Sequence, residues 1–486
     1  MRHISFHFMN LLLVTSTVLA LAASGFVHAD EQRSTLKDQK EVAVTIYNEN
    51  LALVKDQRKV NIQNGVSALA FRDVSAKMRA ETALLRSLSA QGSLFVQEQN
   101  FDFDLLTPQK LLEKYVGRSV SIIRTHPATG QETTEVAQVL SANNGVVLKI
   151  GDRIETGIPG RIVYGDVPAH LRDRPTLVMM LENTGAQQQD VELSYLTGGL
   201  AWKADYVLEL NANDDRLDIS GWVTLTNTSG ASYHNARLQL VAGDVNQVRP
   251  QMKVRAQADA MLAAPMAAAR KEMTQEDLFE YHLYSLDRPT TIAENQTKQV
   301  ALLTAAGVPA RKEFLLRGSD YYYQSSYGDI GQKIKIGVFL EFDNKESARL
   351  GMPLPKGIIR VYKKDSAGNA QFIGEDNVDH TPKNETVRLK LGDAFDVTAD
   401  KKQTDFKKLG SSGVYNYRYE SAYEVVIKNA KPEAVTVTVQ EPVPGDWQVL
   451  SESQPHTKGS SNTAVWKVRV PAKGSSKLEY RCIIRH

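Results

Sequence analysis

Trp222-Val223-Thr224-Leu225-Thr226-Asn227 alternates in side-chain character, ends in asparagine, passes a polar turn and returns as Ala236-Arg237-Leu238-Gln239-Leu240-Val241. Period-two alternation turns one face of each run toward a core and the other toward water, so the pair reads as two β-strands. The same unit occurs at Leu177-Val178-Met179-Met180-Leu181-Glu182-Asn183, with its return at Val191-Glu192-Leu193-Ser194-Tyr195-Leu196. It recurs around Asn344 and around Asn429, the latter returning as Val435-Thr436-Val437-Thr438-Val439. An asparagine amide bonds turning backbone, which accounts for its place at a strand end without a functional role. Repeated hairpins of this kind predict a mainly β, multidomain chain of immunoglobulin-like β-sandwich domains. Uneven periods speak against a solenoid or a propeller.

Working outward from these units, residues 36–104 form an N-terminal β segment. Val42 to Tyr47, Leu51 to Val54 and Arg58 to Ile62 read as strands, and Asn64-Gly65 reads as a tight hairpin turn into Val66 to Phe71. Residues 105–168 read as a small inserted β-barrel module: a helix opened by Thr107-Pro108, with Leu111, Leu112 and Tyr115 on its apolar face, then short strands punctuated by glycine. Residues 169–398 make a central β-sandwich region, interrupted at 252–281 by a flexible, partly helical insertion. This insertion is rich in Ala, Met, Gln and Glu and is broken by Pro265. Its methionines also offer a contact surface for a partner. Residues 410–486 complete the chain as a C-terminal immunoglobulin-like β domain.

The first 29 residues read as a secretory signal peptide. Arg2, His3 and His7 precede an apolar run from Leu11 to Ala23, and Val27-His28-Ala29 offers small side chains before Asp30. That run is shorter than the roughly 20 residues needed to cross a bilayer. The expectation is an exported protein starting at Asp30, periplasmic in a Gram-negative cell and secreted otherwise, with no transmembrane span in the mature chain. A formal net charge of +2 over 486 residues gives no electrostatic case for nucleic acid. Lys401-Lys402 and Lys407-Lys408 read as solvated loop. The single Cys482 cannot form an internal disulfide, and alternation with Tyr480 and Ile484 makes it a buried strand residue.

Two tyrosine clusters are the candidate binding residues: Tyr321, Tyr322 and Tyr323 with Tyr327, and Tyr415, Tyr417 and Tyr419 with Tyr423. Tyrosine joins a flat apolar face to a hydroxyl, which suits stacking on a glycan or filling a protein interface. Alternation places Tyr415, Tyr417 and Tyr419 on one strand face, where an aromatic ladder covering a sheet is the structural alternative. Trp202 and Tyr206 read as core, with Lys203 and Asp205 outward. Gly243-Asp244, Gly374-Glu375-Asp376 and Gly392-Asp393 supply carboxylates for a glycosidase pair, though Gly-Asp is also an ordinary turn opening. His380 beside Asp379 reads as an exposed turn residue. Scattered histidines and the absence of phosphate-loop, dinucleotide and nucleophile-elbow motifs give no metal, no cofactor and no assigned catalytic residue.

Leu193-Ser194-Tyr195-Leu196-Thr197-Gly198-Gly199-Leu200-Ala201-Trp202-Lys203-Ala204-Asp205-Tyr206 and Ala236 to Val245 resemble a bacterial exported family defined by the domain of unknown function 4139. His282-Leu283-Tyr284, Leu350 to Gly357, Gly374-Glu375-Asp376 and Leu391-Gly392-Asp393-Ala394-Phe395-Asp396-Val397 extend the resemblance. It implies export and a β-sandwich architecture and carries no activity. No sustained heptads are present, so coiled-coil assembly is not implied. The expected function is a non-catalytic binding or scaffolding protein of the cell envelope, with an envelope protein or glycan as partner. The alternative is a carbohydrate-active hydrolase using two carboxylates.

Overall fold

The computed structural model describes residues 31–48, 50–168, 171–243, 245–246, 273–278 and 280–486. The signal-peptide expectation, most of the 252–281 insertion and Asp244 lie outside these residues. The one α-helix among them is Pro108–Lys114, and strands dominate the rest. No helix among them is long and apolar enough to cross a membrane.

The strands form several sheets. A four-stranded sheet runs in the order Glu31–Ser34, Gly65–Arg72, Thr176–Asn183, Leu94–Asp102. At the centre of an eight-stranded sheet lie Tyr233–Ala242, Gln39–Tyr47, Leu51–Asn61 and Gln188–Thr197. The largest sheet has 13 strands and is threaded by Gln296–Arg317, Asp329–Asp343 and Thr386–Leu409. At 22 and 24 residues, Gln296–Arg317 and Thr386–Leu409 are long enough to serve two cores in succession. Ala310 and Leu389 belong to the core shared with the four- and eight-stranded sheets. Phe314, Leu316, Val397 and Ala399 belong to a second core with the C-terminal strands.

Several expectations change in three dimensions. The repeated units are not hairpins: Arg216–Asn227 pairs with Leu200–Leu210 and Gln296–Arg317, while its return Tyr233–Ala242 pairs with Gln39–Tyr47 and Tyr281–Leu286. Thr176–Asn183 and Gln188–Thr197 likewise lie in different sheets, and Arg418–Asn429 does not pair with Val435–Pro442. Leu51 to Val54 and Arg58 to Ile62 merge into one strand, Leu51–Asn61. Asn64-Gly65 does not close a hairpin: Leu51–Asn61 pairs with Gln39–Tyr47 and Gln188–Thr197, while Gly65–Arg72 pairs with Glu31–Ser34 and Thr176–Asn183. Gly65 still needs its positive φ of 81°, but the turn carries the chain from one sheet into another. The 105–168 module is not a barrel. Its five strands form an open sheet, with Arg153–Thr156 and Arg161–Val163 as separate edges. It does have its own core, built on Leu112, Tyr115, Ile122, Val139 and Leu148. Thr107 caps the helix as expected, its Oγ1 accepting the Lys110 N–H at 3.1 Å. Within 252–281, the described Met273–Leu278 is a strand paired with Tyr281–Leu286.

The strand-end asparagines share one job, and all four are buried. Asn227 Nδ2 donates to Ala231 O at 2.8 Å and to Ile292 O at 3.2 Å, while Oδ1 accepts the Ser229 N–H at 3.0 Å. Asn183 bridges Ala186 O and Ile62 O, Asn344 bridges Met352 O and Pro382 O, and Asn429 bridges Glu433 O and Pro471 O. Each amide therefore satisfies its own turn and also ties it to a segment distant in sequence.

Cys482 is buried on the strand Gly474–Arg485, as its alternation predicts. Burial, helped by Glu441, pushes its thiol up to about 12. The folded protein is therefore expected to resist a disulfide-exchange reagent at pH 8 and to react on unfolding in urea, as followed by thiol release. Because the folded thiol ionises later than an unfolded one, near about 8.5, its contribution to stability holds below that pH. It is then lost as pH rises toward the folded value.

Candidate functional site

Asp320–Tyr323 is a single 3-10 turn joining Gln296–Arg317 to Asp329–Asp343. Three residues per turn send consecutive side chains in different directions, so the three tyrosines have different fates. Tyr321 is 50% exposed, Tyr322 is half-buried and Tyr323 is fully buried. The Tyr321 ring meets Tyr322 edge-on at 4.6 Å and Tyr327 at 5.7 Å, and Tyr327 is 42% exposed. Gln403, on the Thr386–Leu409 strand, fixes this loop from below. Its Oε1 accepts the Tyr327 N–H at 2.7 Å, and its Nε2 donates to Ser325 O at 3.0 Å.

Beneath the exposed rings lies an ion pair almost closed to solvent. Lys401 Nζ stands 2.7 Å from Glu441 Oε2, with side-chain exposures of 2% and 0%. Tyr323 OH donates to the same oxygen at 3.0 Å and lies 3.1 Å from Tyr480 OH. The ammonium also faces the rings of Tyr322 at 4.5 Å and Tyr423 at 5.1 Å. Among the described residues, Glu441 Oε1 has no hydrogen-bond partner. Gly318 is needed here because a Cβ would collide with the Glu441 carboxylate. Burial pushes the Lys401 ammonium down, with Glu441 opposing it, and burial raises the Tyr323 and Tyr480 hydroxyls. Lys401 and Tyr323 both bond Glu441 Oε2, which ties the strand under the turn to the turn itself.

Lys401 was expected in solvated loop together with Lys402, Lys407 and Lys408. All four instead lie on the strand Thr386–Leu409. Alternation of Val397, Ala399, Lys401 and Gln403 on the inner face was the available signal. Glu441 is 40 residues away, and no local pattern names it as the partner.

The second tyrosine group does not form a ladder on one strand. Of its three candidates only Tyr419 lies within Arg418–Asn429, where it stacks on Phe406 at 5.8 Å. Tyr415 OH donates to Asp446 Oδ2 at 2.7 Å, and Tyr417 is 52% exposed. Trp202 and Tyr206 are core, as expected, and Tyr206 OH donates to Pro355 O at 2.8 Å. Asp205, expected outward, is buried against Arg360 at 3.0 Å and Thr224 at 2.6 Å, because neighbouring strands carry both partners across its face. His380 is half-buried rather than exposed. Its Nε2 lies 3.3 Å from Asn48 Nδ2, and its Nδ1 accepts the Lys356 N–H.

The candidate carboxylates are engaged locally. Glu375 pairs with Arg360 at 3.2 Å, Asp376 accepts the Lys390 N–H at 2.7 Å, and Asp393 pairs with Lys390 at 3.6 Å. Among the described residues, no three His, Cys, Asp or Glu side chains are grouped to hold a metal. A polar cleft of about 520 Å³ on the eight-stranded sheet includes Glu41, Gln57, Glu192 and Arg237. Glu41 and Glu192 stand opposite Gln57 on its two neighbouring strands. Arg237 lies 2.6 Å from Glu41, and Gln57 donates to Glu192 at 3.0 Å.

Residues 191–486, which carry the tyrosine turn and the Lys401–Glu441 pair, match the family described as Domain of unknown function (DUF4139). The chain belongs to this family. The DUF4139 match begins inside the strand Gln188–Thr197 and leaves the inserted 105–168 module outside it. No curated protein matches the chain.

Proposed function

We propose that this DUF4139 protein is an exported, non-catalytic binding or scaffolding protein of the bacterial cell envelope, with the Tyr321–Tyr327 face as its contact surface. In this reading residues 1–29 are removed as a signal peptide, and the mature chain is periplasmic or secreted. Its sheets pack as immunoglobulin-like β-sandwich domains, and its partner is an envelope protein or a glycan. The observation that carries the proposal is the presentation of two exposed tyrosines on a loop held by buried Gln403 and Tyr323. Aromatic side chains fixed before contact lose little conformational freedom on binding.

The test is the double variant Tyr321→Ala/Tyr327→Ala. Crosslinked pull-down from intact cells should lose the partners recovered by the wild type, while stability changes by only about 0.5 kcal/mol, as for exposed positions. Unchanged recovery would overturn this surface as the contact. N-terminal sequencing of the exported fraction should find Asp30; an intact Met1 there would refute the signal peptide.

The hydrolase reading draws on a different place. Glu41 and Glu192 are two strand spacings apart, so their backbones are separated by about 9.5 Å. If they form a glycosidase pair, release of soluble sugar from envelope glycan should disappear in both Glu41→Gln and Glu192→Gln. Equal release by these variants and the wild type would remove this reading.

A further inference from the structure

Where the long strands pass from the first core to the second, their pairing is interrupted. Val338 faces Gly392 and Phe339 faces Lys390, leaving Leu391 as an extra residue on its strand. Such a bulge opens the ladder locally and turns side chains out of register. Beside it lies a cavity of about 340 Å³, within the usual size range of small-molecule sites. Leu210, Val338, Phe339, Leu340, Ile373 and Leu391 supply its apolar wall.

Its charges are unevenly arranged. Lys312 and Lys363 arrive from different strands, and both pair with Asp214. The two cations draw that carboxyl below its usual range, against the effect of burial. Lys363 also donates to Ala212 O at 3.1 Å. Two ammonium groups on one carboxylate leave one positive charge in excess. The other charged lining groups have partners of their own: Asp393 pairs with Lys390 and Lys431 with Glu433. An apolar wall beside excess positive charge complements a molecule with an apolar body and one anionic end.

We propose that this cavity binds an anionic amphiphile of the fatty-acid class. The alkyl chain lies along the Leu210, Val338 and Leu391 wall, and the carboxylate is received by Lys312 and Lys363 beside Asp214. The site shares none of its residues with the Tyr321–Tyr327 surface, so either assignment can fail alone.

Titration calorimetry of the full chain with decanoate, using decanol as the uncharged control, tests the assignment. Decanoate should bind about tenfold more tightly than decanol. Lys312→Gln/Lys363→Gln should abolish that preference while leaving decanol binding unchanged. Asp214→Asn should act in the opposite direction, strengthening decanoate binding several-fold by removing the competing carboxylate. Asparagine tolerates the positive φ of 60° at position 214, so this variant keeps the turn. Equal affinity for the two ligands, no decanoate binding at 1 mM (on the order of the weak limit for a specific site), or no gain in Asp214→Asn would overturn the proposal. Tyr321→Ala/Tyr327→Ala should bind decanoate as the wild type does.

Discussion

Lys401→Met is expected to destabilise the protein by about 3–5 kcal/mol, the range for breaking a buried ion pair. Among the described residues, the variant leaves the Glu441 carboxylate with only the Tyr323 hydroxyl, in a site with no measurable exposure and one oxygen already without a partner. Glu441→Gln should also destabilise, but with a different pH dependence. Without its counter-charge, the Lys401 ammonium is held down by burial alone. The unfolded lysine then binds protons that the folded one has released, so stability rises with pH between the folded value and the unfolded one near about 10.4. The defect in Glu441→Gln should therefore shrink as pH is raised, whereas that in Lys401→Met should not. Replacing both residues, as Lys401→Met/Glu441→Gln, should be milder than the sum of the singles because neither charge is left alone. Urea unfolding of the four proteins at two pH values decides the matter. Additive losses would show that the pair is not energetically coupled.

Asn227→Asp is expected to cost about 2–5 kcal/mol, although it changes one atom type. Nδ2 donates to Ala231 O and Ile292 O, so an aspartate oxygen in its place would face two carbonyl acceptors with nothing to donate. Each buried group left unsatisfied costs about 1–3 kcal/mol, and the new carboxylate adds its own desolvation. Asn227→Ala should cost less than Asn227→Asp, because it removes the bonds without burying a charge. Asn183, Asn344 and Asn429 make equivalent double bridges, and the same order should hold at each. Thermal and urea unfolding of the Ala and Asp variants would check this; an Asp variant as stable as the Ala variant would show that the amide donor is not what the site requires.

These asparagines also mark the reach of sequence reasoning. Their position at the end of an alternating run identified a turn and a backbone-bonding role, because both are local. The second acceptor, such as Ile292 O for Asn227, is 65 residues away and has no local signature. The same division applies to the candidate site. Tyrosine content pointed to Tyr321 and Tyr327, but only the 3-10 turn determines that Tyr321 faces solvent while Tyr323 points into the core. The spacing of Tyr415 and Tyr417 suggests strand, whereas the strand begins only at Arg418.

The sequence by itself determined that the chain is mainly β, where many of its strands lie, and that Trp202, Tyr206 and Cys482 face inward. Period-two alternation carries that information within a few residues. Only the tertiary structure decided that Asn64-Gly65 crosses between sheets, that the 105–168 module stays open, and that Lys401 meets Glu441. Hydrogen-bond donors and acceptors are alike on every strand, so neighbours are chosen by which buried faces fit together. That choice depends on the whole assembled chain.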